Sequence, residues 1–235
     1  MTDDPLRRNA ILAQLPDREF DALKLHLRVE SAEMKHSAYE PHTPIKDIYF
    51  PLSSVFSLVA VADGRVILEV ATIGHEGMVG LPVYLGATSS PQAAFCQVPG
   101  EAARISVEDF RRALSHDGVL HARLNRFTQA TMVQIAQNVV CNSSHPTAAR
   151  AARWLLTTQD RVGRNEFPLT QEFLAQMLGV HRPTVSEIAQ RLQANNLIRY
   201  TRGVITIVDR AQLEDIACEC YEIVKAEFDD IRNGH

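Results

Sequence analysis

Hydrophobic spacing divides the chain into three textures. In the first thirty residues Leu12, Leu15, Phe20, Leu23 and Leu27 recur at roughly helical intervals, which predicts short amphipathic helix. From Lys35 the pattern becomes β-rich, as in "DIYFPLSSVFSLVAVADGRVILEVATIGHEGMVGL". Asp63-Gly64 between two such runs is a hairpin signal, and Gly74, Gly77, Gly80, Gly86 and Gly100 follow at short intervals. Many short strands broken by glycine predict a small barrel, roll or sandwich and leave little room for helix. Helical spacing returns at Ser106, an N-cap candidate with Glu108 and Asp109 behind it. After a break at His116–Gly118 a longer helix is expected from Val119 to Cys141. Leu120, Leu124, Phe127 and Thr131 follow a 4-3-4 spacing along it, continued by Gln134 and Asn138. Such a seam fits a dimer interface, or packing on the chain's own β-domain. Pro146 in "SSHP" ends the helix.

Beyond Pro146 a helix is expected over Thr147–Thr158, then a polar connection, "QDRVGRNE", and then "LTQEFLAQMLGVHRPTVSEIAQRL". Thr170 can cap a helix whose stripe is Phe173, Leu174, Met177 and Leu178. Ala175 leaves space for a second helix, and Gly179 suits a left-handed turn. Val180 fills the corner, while Val185 and Ile188 point inward on the following helix. This is the helix-turn-helix pattern. Two β-runs around Arg202-Gly203 in "NNLIRYTRGVITIVD" add a wing, with Arg202 at its tip.

Charge sharpens this picture. The net charge is −4, but residues 145–210 hold nine arginines against five acids. Residues 211–235 hold seven acids against Lys225 and Arg232. A basic segment inside an acidic chain is the footprint of a phosphate-contacting module, though it also arises by chance on a solvated face. With 46% apolar residues the chain can bury sizeable cores. No apolar run approaches the ~20 residues of a membrane span, and no secretory signal follows Met1; a cytoplasmic protein is expected. Cys96, Cys141, Cys218 and Cys220 show neither a C-x-x-C pair nor zinc-finger spacing, so neither a disulfide framework nor a metal is expected.

The segment "LTQEFLAQMLGVHRPTVSEIAQRLQANNLIRYTRGVITIVDRAQLEDI" resembles the CRP/FNR family of bacterial transcription regulators closely, and "VATIGHEGMVGLPVYLG" resembles that family's β-roll more loosely. The resemblance implies an α+β chain: a β-roll sensor of the cyclic-nucleotide-binding kind (1–117), a dimerisation helix (118–144), and a winged helix-turn-helix DNA-binding domain with an acidic C-terminal helix (145–235). It implies a homodimer on two-fold double-stranded DNA, with RNA polymerase as a partner and no catalytic residues. The DNA-contacting positions would be Thr170, Arg182, Thr184, Ser186, Glu187, Arg191 and Arg202. Arg182 aligns with a family arginine that reads guanine through O6 and N7. Glu187 stands where many relatives carry a second base-reading arginine. A carboxylate there either accepts from a cytosine amino group or pairs with Arg191 one turn on.

Departures from the family bear on the effector. Cyclic-nucleotide binders hold ribose and phosphate with a Gly-Glu and an Arg-Ser pair. Here Gly80 is followed by Leu81, and the arginine position falls at Gln92. A buried cyclic phosphate without its guanidinium is disfavoured by several kcal/mol, so cyclic AMP is not expected in the family's manner. The effector is unknown and no cofactor is expected. The iron–sulfur variant needs N-terminal cysteines, and the first here is Cys96; a haem sensor would need an axial ligand such as His75. Cys218 and Cys220 on one helix would point about 200° apart, which makes one a core residue rather than half of a metal or redox pair. Two other readings are a redox-sensing regulator using the cysteines and a cupin-type metalloenzyme. The latter wants an H-x-H motif, which His36, His42 and His75 do not form.

Overall fold

Asp63 and Gly64 both take left-handed φ, 50° and 70°, and turn one strand back on the next as the Asp-Gly pair predicts. The computed structural model in which they lie describes residues 4–114 and 118–233, so the break expected at His116–Gly118 falls mostly outside the described residues. A 3-10 turn (Pro5–Arg8), α1 (Ala10–Ala13) and α2 (Asp17–Lys24) open the chain. Strands β1 (Arg28–Ala32), β2 (Ser37–Tyr39), β3 (Asp47–Pro51), β4 (Val55–Ala62) and β5 (Arg65–Ile73) follow, then α3 (Leu81–Tyr84), β6 (Ala93–Val98), β7 (Gly100–Ser106) and α4 (Val107–Ala113). The strands form two antiparallel sheets, ordered β1-β7-β3 and β2-β6-β4-β5. Ser106 caps α4 as expected, accepting from the Asp109 N–H at 3.1 Å. The β-rich third is not free of helix, because Gly80 (φ 114°) turns the chain directly into α3.

The long helix α5 (Val119–Ser144) ends where Pro146 requires; His145 is extended and α6 (Thr147–Val162) starts behind the proline. The polar "QDRV" belongs to α6, so its connection to β8 (Glu166–Pro168) is shorter than the composition suggests. Then come α7 (Gln171–Leu178), α8 (Arg182–Ala194), β9 (Ile198–Thr201), β10 (Val204–Ile207), α9 (Arg210–Ile216) and α10 (Cys220–Asn233). Strands β8, β10 and β9 make the three-stranded wing sheet. No helix among the described residues is long and apolar enough to cross a membrane.

Leu120, Leu124, Phe127, Thr131, Gln134 and Asn138 are all buried within their own chain, so the dimer reading of that seam is corrected. The seam packs on the β-roll: a Cβ at Gly77 would lie 2.3 Å from the Phe127 ring. Gly77 is therefore glycine for close approach as well as for a turn. The other side of α5 is open. Ala122, Asn125, Gln129, Met132, Ala136, Val139 and Ser143 are exposed and repeat at alternating steps of three and four.

Among the described residues, two large hydrophobic cores result, with a small third cluster of Cys141, Cys218 and Cys220. The first joins the β-roll, the N-terminal helices, the first half of α5, and Val224, Phe228 and Ile231 of α10. The second fills the winged helix and reaches into the roll through Val55, Val59, Ala93 and Val98. The acidic C-terminal helix thus turns Val224, Phe228 and Ile231 to the roll and α5, and Tyr221 to the winged helix. Nor do Cys218 and Cys220 lie on one helix. Cys218 precedes α10 and Cys220 begins it, so the helical estimate of their directions does not apply.

Candidate nucleic-acid interface

The helix-turn-helix is built by α7 and α8. Thr170 caps α7, accepting from the Phe173 N–H at 3.1 Å. Gly179 (φ 63°) closes α7 with its N–H toward Ala175 and Gln176, and the Val180 N–H returns to the Ala175 carbonyl at 3.0 Å. Leu174, Ala175, Met177 and Leu178 are buried against Val185, Ile188, Ala189 and Leu192 of α8. Phe173, expected in the same stripe, is half-buried instead and meets Phe95 of the roll and Trp154 edge-on, at centroid distances of 6.1 and 6.5 Å. His181 precedes α8 without a capping hydrogen bond, and Pro183 sits in the first turn, where its missing N–H leaves no intrahelical bond unmade.

Burial of Val185, Ile188, Ala189 and Leu192 turns the rest of α8 outward. Arg182, Thr184, Glu187, Gln190 and Arg191 are exposed. Ser186 is half-buried; its hydroxyl lies 2.6 Å from Gln171 Oε1, so Gln171 orients it. Arg182 Nε is 4.0 Å from Glu172 Oε2 across the motif. No ion pair joins Glu187 to Arg191 among the described residues, so the carboxylate is not occupied by its i+4 neighbour. Arg202 (φ 50°) and Gly203 (φ 80°) form the wing turn, with the arginine exposed at the tip. The Leu169 N–H donates to the Gly203 carbonyl at 2.8 Å, which brings the wing turn beside the start of α7. A groove there is lined by Thr170, Gln171, Glu172, Arg182, Tyr200, Gly203 and Lys35. Lys35, from the β1–β2 turn, carried no signal in the sequence because only folding brings that turn to the motif.

The charge count of residues 145–210 does not translate directly into a basic surface. Arg150, Arg153 and Arg161 are buried. Arg210 pairs with Asp160 and Glu214, each at 2.8 Å. Arg164, Arg182, Arg191, Arg199 and Arg202 remain exposed.

The buried arginines belong to the opposite face, where the winged helix docks on the roll. Arg161 Nε donates to Glu76 Oε1 at 2.6 Å, with both side chains almost wholly enclosed. Burial opposes the charge on Glu76, but Arg161, His75 and the Gly74 N–H overcome it and hold the carboxyl down at about 2. His75, the residue considered for haem, donates from Nδ1 to the Arg161 carbonyl at 3.1 Å. A Cβ on Gly74 would lie 2.7 Å from the Arg161 side chain, so this glycine also permits docking. Nearby, Trp154 Nε1 donates to Glu69 Oε1 at 2.8 Å. Burial pushes the Glu69 carboxyl up to about 7, against its bonds to Ser57 and Trp154 and the charges of Arg161 and Arg153. The Ser57 hydroxyl touches both Glu69 Oε2 and Gln97 Oε1, and one proton cannot serve two acceptors. A protonated Glu69 donating to Ser57, which donates to Gln97, satisfies the whole row.

The residues that the family resemblance assigns to an effector have partners within the chain. A Cβ on Gly80 would lie 2.9 Å from Ile48, Leu81 packs against the main core, and Gln92 Oε1 accepts from the Ser90 hydroxyl at 2.7 Å. Among the described residues, one group of side chains is placed to hold a metal, and it contains none of His36, His42 and His75. It is Cys141, His145, Cys218 and Cys220, brought together from two distant segments.

Comparison with known proteins agrees with this geometry. Residues 149–216 match the Crp-like helix-turn-helix domain. A search of curated proteins by sequence finds no significant match. Among solved structures, FixK2 from Bradyrhizobium japonicum is 17% identical, covering 82% of this chain and 98% of its own at a TM-score of 0.67. A CRP-family transcriptional regulator from Thermus thermophilus is 20% identical, covering 80% and 96% at 0.66. The c-di-GMP-responsive global regulator CLP of Xanthomonas campestris is 15% identical, covering 82% and 99% at 0.61. At these identities the structural likeness speaks for the fold, and the domain match speaks for residues 149–216. The chain thus carries a Crp-like helix-turn-helix domain behind a β-roll and a long helix, in the fold these solved CRP/FNR-type structures share.

Proposed function

We propose that the protein is a transcription regulator that binds a two-fold DNA site as a homodimer, with α8 in the major groove and the wing tip on a phosphate. One observation carries this: a row of unburied polar and charged side chains, Arg182, Ser186, Glu187, Gln190 and Arg191, on the outer side of α8, with Arg202 beside it. Arg182 and Glu187 read base edges; Thr170, Thr184, Arg191 and Arg202 contact the backbone. The open heptad on α5 is the dimer seam, with Met132, Val139 and Val140 as exposed apolar anchors. A second copy across it would set two α8 helices on half-sites about 34 Å apart. The protein works in the cytoplasm, beside RNA polymerase, and is not an enzyme.

The β-roll is the sensor for an effector other than cyclic AMP bound in the family's manner. Leu81 and Gln92 support this, since neither replaces the charge partner a cyclic phosphate needs. The c-di-GMP response of CLP is consistent with other ligands on this fold. Selection of binding sites from a random duplex pool tests the reading. A palindromic site is expected, with affinity falling steeply as salt rises. Retention indifferent to salt and no enriched site would refute it. Glu187→Arg should change the base preferred at one position of each half-site; an unchanged site would remove Glu187 from the reading set.

A further inference from the structure

The junction between α5 and α6 carries a cluster that DNA binding does not use. Cys141 lies on the last turn of α5, His145 in the extended link to Pro146, Cys218 just before α10 and Cys220 at its start. Cys141 Sγ is 3.5 Å from Cys218 Sγ, Cys220 Sγ is 3.4 Å from His145 Nδ1, and all four ligand atoms lie within 4.8 Å of one another. From this geometry we infer that Cys141, His145, Cys218 and Cys220 form a mononuclear Zn2+ site of the Cys3His kind. It clamps the start of α10 to the hinge between the long helix and the winged helix.

The dimensions suit one ion. A tetrahedral centre with metal–sulfur bonds of about 2.3 Å separates its ligands by about 3.7 Å, and both short distances lie near that edge. A polynuclear iron–sulfur cluster spreads its thiolates over several irons and needs a wider cage. Three thiols and one imidazole form a closed donor set for a borderline-soft cation and poorly suit Mg2+ or Ca2+.

The surroundings fit ligation as well. His145 Nε2 lies 3.2 Å from Glu219 Oε1, so a carboxylate holds the ring with Nδ1 turned toward the thiols. That is the carboxylate–histidine–metal arrangement. Gln137 Nε2 donates to Cys220 Sγ at 3.2 Å. Arg150 and Arg153 are buried beside the group with unpartnered Nε atoms. A Zn2+ bound by three thiolates and a neutral imidazole carries a net −1, which answers these guanidinium charges.

The test is titration of the reduced, metal-free, full-length chain with Co2+, followed by Zn2+. One equivalent of Co2+ should develop thiolate-to-metal charge transfer and the intense visible bands of tetrahedral cobalt, and Zn2+ should bleach them. Cys218→Ser should abolish the bands, and Cys96→Ser, outside the cluster, should leave them unchanged. Glu219→Gln, at an exposed position with little risk to folding, should weaken Zn2+ binding about 10-fold or more at unchanged stoichiometry. Absence of tetrahedral bands in the reduced wild type overturns the inference, whatever the variants do. So does a Cys141–Cys218 disulfide whose reduction yields no metal binding, or Co2+ bands that survive Cys218→Ser. These readouts need no DNA, so failure of the metal site and failure of the DNA-binding reading are separable.

Discussion

The winged helix uses arginine in opposite ways on its two faces. Outward, Arg191, Arg199 and Arg202 form no ion pair among the described residues, and Arg182 has only a 4.0 Å neighbour in Glu172. Toward the roll, Arg161 is enclosed with Glu76, while Arg150 and Arg153 lie under the hinge. Exposed guanidinium groups keep their hydration and are available to phosphate and guanine. A buried one is tolerated only when an anion or hydrogen bonds replace the water it lost. Charge in the sequence therefore marks where arginine is, but desolvation decides whether it stays free at the surface or holds two bodies together.

The largest expected effect lies on the docked face. Arg161→Ala leaves Glu76 charged and enclosed without its partner, and should cost about 3–5 kcal/mol in urea unfolding. Converting both partners, Arg161→Met with Glu76→Gln, should recover much of that loss. Unchanged stability in the single variant would mean that the two bodies are not held as described.

Next is Glu69. Its folded carboxyl titrates near 7 against an ordinary value of 4.5. Between those values the unfolded chain is ionised while the folded one keeps its proton. Its contribution is fully present below pH 4.5 and is lost as pH rises through about 7, by up to about 3 kcal/mol. Glu69→Gln should flatten that part of the stability–pH curve; an unaltered slope would place the proton elsewhere.

On the outer face, Arg182→Ala should cost about 1–3 kcal/mol in specific DNA binding and relax preference at one base pair, with folding stability within about 0.5 kcal/mol of wild type. The smallest effect belongs to the wing tip. Arg202→Ala should weaken binding to all sequences alike and lower the slope of log K against log salt by about 1. A sequence-dependent loss would instead make Arg202 a base reader.

Much of the interface was legible because its signals are local. Capping by Thr170, the left-handed turn at Gly179, the Arg202-Gly203 hairpin and the inward spacing of Val185 and Ile188 each depend on a few neighbouring residues. The misreadings concern pairings over long separations. The Leu120–Asn138 seam has a spacing that fits either a second copy or the roll, and periodicity cannot name the partner. The Nδ1 of His75, the one candidate axial ligand for haem, goes to the Arg161 carbonyl 86 positions away, a structural contact that no local spacing announces.

The sequence by itself determined the order of elements and the helix-turn-helix and wing. Each of these rests on residue type and short spacing, where backbone preference and side-chain chemistry act directly. Only the tertiary structure decided which arginines stay exposed, which side of α5 is open, and that Cys141 and His145 meet Cys218 and Cys220. Those outcomes depend on which surfaces exclude water from one another, and burial is a property of the folded chain as a whole.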